Sequence, residues 1–269
     1  MDVKRIVSSL LGLPMVIIVL LLGNKYVIDI AMAIVAIISL NEYYNAISKE
    51  CKPIKWLGYV IASSISLIHI INIENLFKIA AIGVPIIVTI LFMQIIINNM
   101  KNSFKDIALS AFGIFYIVWF ISFIALIAGL EEGKILIWYA FIAAWGTDTF
   151  AYLIGIRIGK HKFSKISPKK SIEGSIAGIV GAVIVAIIYT ICINKFLYIY
   201  GISYLKVIIF TIILSIIGQF GDIAASSIKR SVGIKDYSNL IPGHGGLLDR
   251  IDSLIFIAPF AYILLTNMF

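Results

Sequence analysis

Long apolar runs separated by short polar stretches dominate the chain. A helix that crosses a bilayer needs about 20 mostly apolar residues. Nine runs of that kind can be marked, over roughly 6–23, 27–47, 56–72, 79–98, 107–129, 135–156, 172–194, 205–227 and 252–268. This pattern predicts an all-α, polytopic integral membrane protein of about nine spans, with the termini on opposite sides. Only Gly23, Asn24 and Lys25 separate the first two runs, so a tight hairpin is required there; a single bent element would make the count eight.

Composition agrees with the pattern. Of 269 residues, 61% are hydrophobic and 13% charged, whereas a soluble domain carries roughly 45–50% apolar and about 25% charged residues. The net charge of +8 would suggest nucleic acid in a soluble protein, but here its placement matters more. With the N-terminus cytoplasmic, 17 of the 22 basic residues fall on inside segments and 5 outside, the bias expected of cytoplasmic loops. Nucleic acid is therefore not an expected partner; the bilayer is. No small-residue cleavage site follows Gly23 and eight further spans do, which argues against a cleaved signal peptide. Cys51 and Cys192 fall on different sides of the membrane in this topology, so they read as small apolar fillers rather than a disulfide.

Polarity divides the chain into a quiet N-terminal transmembrane region, 1–130, and a C-terminal catalytic region, 131–269, with two motif loops. In the first region Asp29, Asn41, Glu42 and His69 interrupt spans two and three, where ionisable groups are costly enough to raise a functional suspicion; most lie near helix ends where side chains can snorkel, which favours a structural reading. Gly83, Ala111 and Gly113 suit close helix packing.

In the second region Asp148 lies deep in span six, where a carboxylate costs on the order of 3 kcal/mol. It faces either a polar cavity or hydrogen-bonding neighbours such as Thr147 or Tyr152. The loop that follows contains Lys160-His161-Lys162 and Ser167-Pro168-Lys169-Lys170-Ser171-Ile172-Glu173-Gly174. Its cations, placed before a helix start, suit an anion, although anionic lipid headgroups alone would also suit them. Asp222, Ser226 and Lys229 share one helix face by their spacing, and Arg230 follows. The last loop contains Lys235-Asp236-Tyr237-Ser238 and Pro242-Gly243-His244-Gly245-Gly246 before Asp249-Arg250-Ile251-Asp252. Its glycines allow a tight turn and close approach to a ligand. A helix cap accounts for one of Asp249 and Asp252, not both.

Carboxylates beside clustered Lys and Arg suit a hard cation and a polyphosphate. Two separated cysteines and three scattered histidines make no zinc set, and no P-loop signature is present. Phosphoryl or nucleotidyl transfer at the inner membrane face fits best.

The run Ser226-Ser227-Ile228-Lys229-Arg230, Lys235-Asp236, Ser238, Ile241-Pro242, His244-Gly245-Gly246-Leu247 and Asp249-Arg250-Ile251-Asp252 resembles the signature of the phosphatidate cytidylyltransferase (CDP-diglyceride synthase) family. The block from Lys160 to Gly174 is similar to that family's second motif, with Ile172 departing where members often carry an aromatic residue. The resemblance implies transfer of a cytidylyl group from CTP to phosphatidic acid, giving CDP-diacylglycerol and pyrophosphate, at a Mg²⁺-dependent site facing the cytoplasm in the inner cell membrane. It also implies a homodimer and admits K⁺ as a second cation. Carried over by position, Asp222 and Asp249 are the metal ligands. Lys229, Arg230, Lys235 and Arg250 contact phosphates, as do Lys169, Lys170 and Ser226. Ser171, Gly245 and Gly246 complete the substrate contacts. His244 tunes the site or donates a proton or, with glycines close on both sides, serves to stabilise the turn, and Asp148, Glu173, Asp236 and Asp252 are candidates to orient the cations. The alternatives are a CTP-dependent transferase or kinase acting on another membrane lipid and, more remotely, an ion transporter.

Overall fold

The computed structural model describes residues 3–71, 73–164, 166–167, 170–196 and 202–268. Among them nine helices occur: α1 Val3–Leu22, α2 Lys25–Ile47, α3 Lys55–Ser64, α4 Ile73–Ile97, α5 Phe104–Ala128, α6 over 133–158, α7 Ile172–Phe196, α8 Tyr204–Ser231 and α9 Leu248–Met268. No strand is present among the described residues; isolated bridges join Lys162 to Ser171 and Ile241 to Gly245. Four helices, Lys25–Ile47, Phe104–Ala128, Ile172–Lys195 and Tyr204–Ser231, are long and apolar enough to cross a membrane. The protein is an all-α membrane protein, because a chain in hydrocarbon must satisfy its backbone polar groups internally.

The helices follow the apolar runs closely, and local chemistry sets several of their ends. The break after Leu22 is real: Asn24 adopts an extended backbone and its side chain accepts the N–H of Val27 at 3.0 Å, starting α2. Ser103 and Asp106 form a reciprocal capping box at the start of α5. Three helices are not uniform. A 3₁₀ turn, Ile65–Ile70, extends α3, and π-helical stretches occupy Ile114–Trp119 of α5 and Ile142–Gly146 of α6. Apolar periodicity does not distinguish these variants from an α-helix.

The chain forms two compact units. One comprises Met1–Gly129 with Ser231–Arg250; the other comprises Leu130–Arg230 with Ile251–Phe269. In the first unit α2 is central, with Tyr43 and Tyr44 nearly inaccessible. Their hydroxyls donate to the carbonyls of Leu109 and Ser110 on α5, each at 3.1 Å. The carboxylate of Asp106 accepts the N–H of Lys52, and the Ser110 hydroxyl accepts that of Ile54, tying the α2–α3 connection to α5. Asp29 is fully buried and holds His69, accepting its backbone N–H at 3.2 Å and lying 2.7 Å from its ring Nδ1. These two ionisable groups form an interior pair.

In the second unit α6 and α7 pack through glycine. An added Cβ on Gly178 would lie 2.6 Å from the Thr147 carbonyl, and one on Gly181 would clash with Cγ of Phe150. Close backbone approach of this kind is how membrane helices gain dispersion contact. Gly221 of α8 similarly meets Phe256 of α9.

Candidate active site

In the second unit, polar groups from four elements converge. Lys170, just before α7, pairs with the Oδ2 of Asp222 on α8, and both side chains are largely shielded. Asp252 on α9 is buried, within electrostatic reach of Asp222, Lys229 and Asp148. The Ser253 hydroxyl donates to the carboxylate of Asp148 at 3.4 Å, while the neighbouring Thr147 hydroxyl donates to Ser215. Tyr152 is exposed. One helical turn before Asp222, the Gln219 amide donates to the Ser175 carbonyl on α7. Lys229 is buried, Ser226 is half-buried and Arg230 is exposed. The unit thus brings together Asp148, Lys170, Asp222, Lys229 and Asp252, residues separated by up to about a hundred positions in sequence.

The loop before α7 is organised by Glu173. Its carboxylate accepts the backbone N–H groups of Lys160 and His161 and lies 2.6 Å from the His161 ring Nδ1. The Ser171 hydroxyl accepts the N–H of Gly174, capping α7. Glu173 and Ser171 therefore shape the basic loop. Lys169 lies outside the described residues.

In the first unit the 231–250 segment closes into a compact loop. Ile241 and Gly245 exchange backbone hydrogen bonds of 2.8 and 3.1 Å around Pro242, Gly243 and His244. Gly243 and Gly245 have φ of +78° and +87°, a left-handed conformation that favours glycine. Asp249 is buried, and its Oδ2 accepts the N–H groups of Tyr237 at 2.8 Å and Gly246 at 2.9 Å. Lys235, Asp236 and Arg250 are exposed, and His244 is half-buried.

One residue of this loop's framework lies far away in sequence. Glu42 of α2 is 4% exposed and accepts the Ser238 hydroxyl at 2.6 Å, the Leu247 N–H at 3.0 Å and the Leu248 N–H at 2.8 Å. Its place near a helix end suggested a snorkelling side chain; it is instead buried in the first unit. An acid interrupting an apolar run was the available signal, but its partners lie about 200 residues downstream. Ser253 carries no signal of its own in the apolar pattern.

Among the described residues, no group of three or more His, Cys, Asp and Glu side chains is arranged as a metal site. Mg²⁺ needs no such cage, because it keeps waters and takes one or two carboxylates plus substrate phosphates. The donor chemistry around Asp222 fits that requirement: hard carboxylate oxygens, one already carrying a cationic partner in Lys170.

Sequence relationships agree with this chemistry. The chain belongs to the cytidylyltransferase family, whose profile matches residues 3–268. It is 39% identical over 180 residues to a phosphatidate cytidylyltransferase of Staphylococcus haemolyticus, covering 66% of each chain. It is 35% identical over 183 residues to that of Thermotoga maritima, covering 68% of this chain and 67% of the relative. With the Bacillus subtilis phosphatidate cytidylyltransferase it shares 37% identity over 170 residues, covering 62% and 61%. The chain thus spans roughly two thirds, or slightly less, of the length of the relatives it matches.

Proposed function

We propose that this protein transfers a cytidylyl group from CTP to phosphatidic acid. A phosphate oxygen of phosphatidic acid attacks the α-phosphorus of CTP, and the bond between the α-phosphorus and its bridging oxygen to the β-phosphate breaks. CDP-diacylglycerol forms and pyrophosphate leaves with the bridging oxygen. The observation that carries this reading is the Lys170–Asp222 pair with Lys229, Asp148 and Asp252 around it, in a chain of the cytidylyltransferase family.

The attacking phosphate is already anionic, so no strong general base is required. The difficulty lies in bringing anions together and stabilising charge on the departing pyrophosphate. In this proposal Lys170, Lys229, Arg230, Lys235 and Arg250 hold phosphate oxygens, with Lys169, Ser171, Ser226, Gly245 and Gly246 as further substrate contacts. Asp222, and by the resemblance Asp249, would be the candidate ligands of Mg²⁺, which would supply neutralisation of phosphate charge and of the leaving group. K⁺ is the candidate for a second cation. Asp148 and Asp252 orient the lysines, Glu173 orients the basic loop, and Asp236 and His244 are supporting groups. The basic loops face the cytoplasm across the bacterial inner membrane, where CTP is available, and the chain acts as a homodimer.

The test is incubation of purified protein in detergent with labelled CTP, phosphatidic acid and Mg²⁺. Lipid-linked CMP and free pyrophosphate are expected, and both fall below detection in Asp222→Asn. Product with another lipid acceptor but not with phosphatidic acid would replace the acceptor in this reading. No product from any lipid, with ion flux in vesicles, would overturn it. Lys25→Ala and Lys195→Ala are expected to keep activity; a large loss in either would count against the proposed sidedness.

A further inference from the structure

Glu42 lies on α2, in the half of the chain that carries neither motif, yet it touches the motif loop at three points. Its Oε1 accepts the Ser238 hydroxyl and the Leu247 N–H, and its Oε2 accepts the Leu248 N–H. Leu247 immediately precedes α9 and Leu248 is its first residue, and the amides at a helix start have no intrahelical partner. A carboxylate is the natural complement to such amides, because it accepts from several donors and opposes the positive end of the helix. Here it is supplied by a different helix.

The fit extends to neighbouring residues. Ser238 relays the contact, since its Oγ also accepts the Leu240 N–H at 3.1 Å. A Cβ at Gly246 would lie 2.6 Å from a Glu42 carboxylate oxygen, so the Glu42 head group occupies the space a larger residue would need. Asp249 holds the same loop through the N–H groups of Tyr237 and Gly246. Two buried carboxylates therefore receive four backbone amides and one hydroxyl of a loop that contains Lys235, Asp236, His244 and Gly245.

We propose that Glu42 is a positioning residue for cytidylyl transfer: it holds the 237–248 loop in one conformation without touching substrate. This rests on the proposed function for its catalytic consequence, and it gives the N-terminal helices a task beyond packing. Substitution by Gln removes the charge and turns an NH₂ donor toward one of the donating amides, at little change in volume.

The experiment combines hydrogen–deuterium exchange of the substrate-free protein with steady-state kinetics for wild type, Glu42→Gln, Ser238→Ala and the double variant. In Glu42→Gln, peptides from 237–248 are expected to exchange faster while peptides from 207–225 of α8 keep the wild-type rate. Turnover is expected to fall roughly 10–100-fold, the usual effect of losing a supporting partner, with KM for CTP little changed. Ser238→Ala is expected to cost less than Glu42→Gln and to add nothing in its background. An unchanged loop exchange rate in Glu42→Gln overturns the proposal, as does equal acceleration in both peptide sets. A full additive cost in the double variant, or a loss confined to KM, also overturns it. If the wild type transfers no cytidylyl group, the proposed function fails, while the exchange data still uphold or overturn Glu42 as the loop's anchor.

Discussion

Lys170 and Asp222 form an ion pair that ties the segment before α7 to the polar end of α8, with side chains 25% and 21% exposed. The pair's value to folding is small, because partly solvated ion pairs contribute about 0–1 kcal/mol. Lys170→Ala is therefore expected to move the thermal midpoint only slightly while lowering cytidylyl transfer at least about tenfold, the scale of one lost charge-assisted contact. Melting in detergent and the transfer assay, run on one preparation, check both parts.

The Asp29–His69 pair is the opposite case. Asp29 is fully buried, and its two oxygens engage the ring and the backbone of His69. Removing one partner of a buried pair costs about 3–5 kcal/mol, because the other is left without compensation. Asp29→Ala is expected to lower the thermal midpoint strongly. Asp29→Asn, which keeps an acceptor, is expected to lower it less. Equal midpoints for the two variants would refute this account of the pair.

Packing between α6 and α7 gives a third expectation. The Gly178→Ala methyl would lie 2.6 Å from the Thr147 carbonyl oxygen, a backbone atom that cannot rotate away. Overpacking of this sort costs about 1–3 kcal/mol. Gly83→Ala serves as the control, since no atom lies within 4 Å of its added Cβ. The midpoint should fall in the first variant and hold or rise slightly in the second.

Cys51 lies between α2 and α3, and burial pushes its thiol above the ordinary value, reinforced by the negative charge of Asp106. A raised pKa keeps the thiol protonated to higher pH, and only the thiolate attacks an alkylating reagent. At pH 8 the folded protein should leave Cys51 unlabelled by iodoacetamide, with labelling appearing on denaturation. Mass spectrometry of peptides after timed quenching reads this directly.

Much of the architecture was legible in the order of residues. Each apolar run became a helix within a few residues of the expected ends, because hydrocarbon leaves the backbone no other way to satisfy its polar groups. The Asn24 cap and the break at Gly23 are equally local. Asp222 stands out because a carboxylate in an apolar helix needs a reason, and the structure pairs it with Lys170, a cation that anionic lipid headgroups would also suit by charge alone.

What only the tertiary structure decided depends on contacts between distant positions. Glu42 and Leu248 are 206 residues apart, and no periodicity predicts that a carboxylate on α2 caps the first turn of α9. The motif loop accordingly belongs with Met1–Gly129. Asp148 finds Ser253 across 105 residues while adjacent Thr147 turns to Ser215. Hydropathy determines which segments become helices, since that is settled residue by residue against the solvent. Which polar groups meet is settled by how the helices pack, because a buried donor or acceptor takes whatever partner the fold brings within about 3 Å.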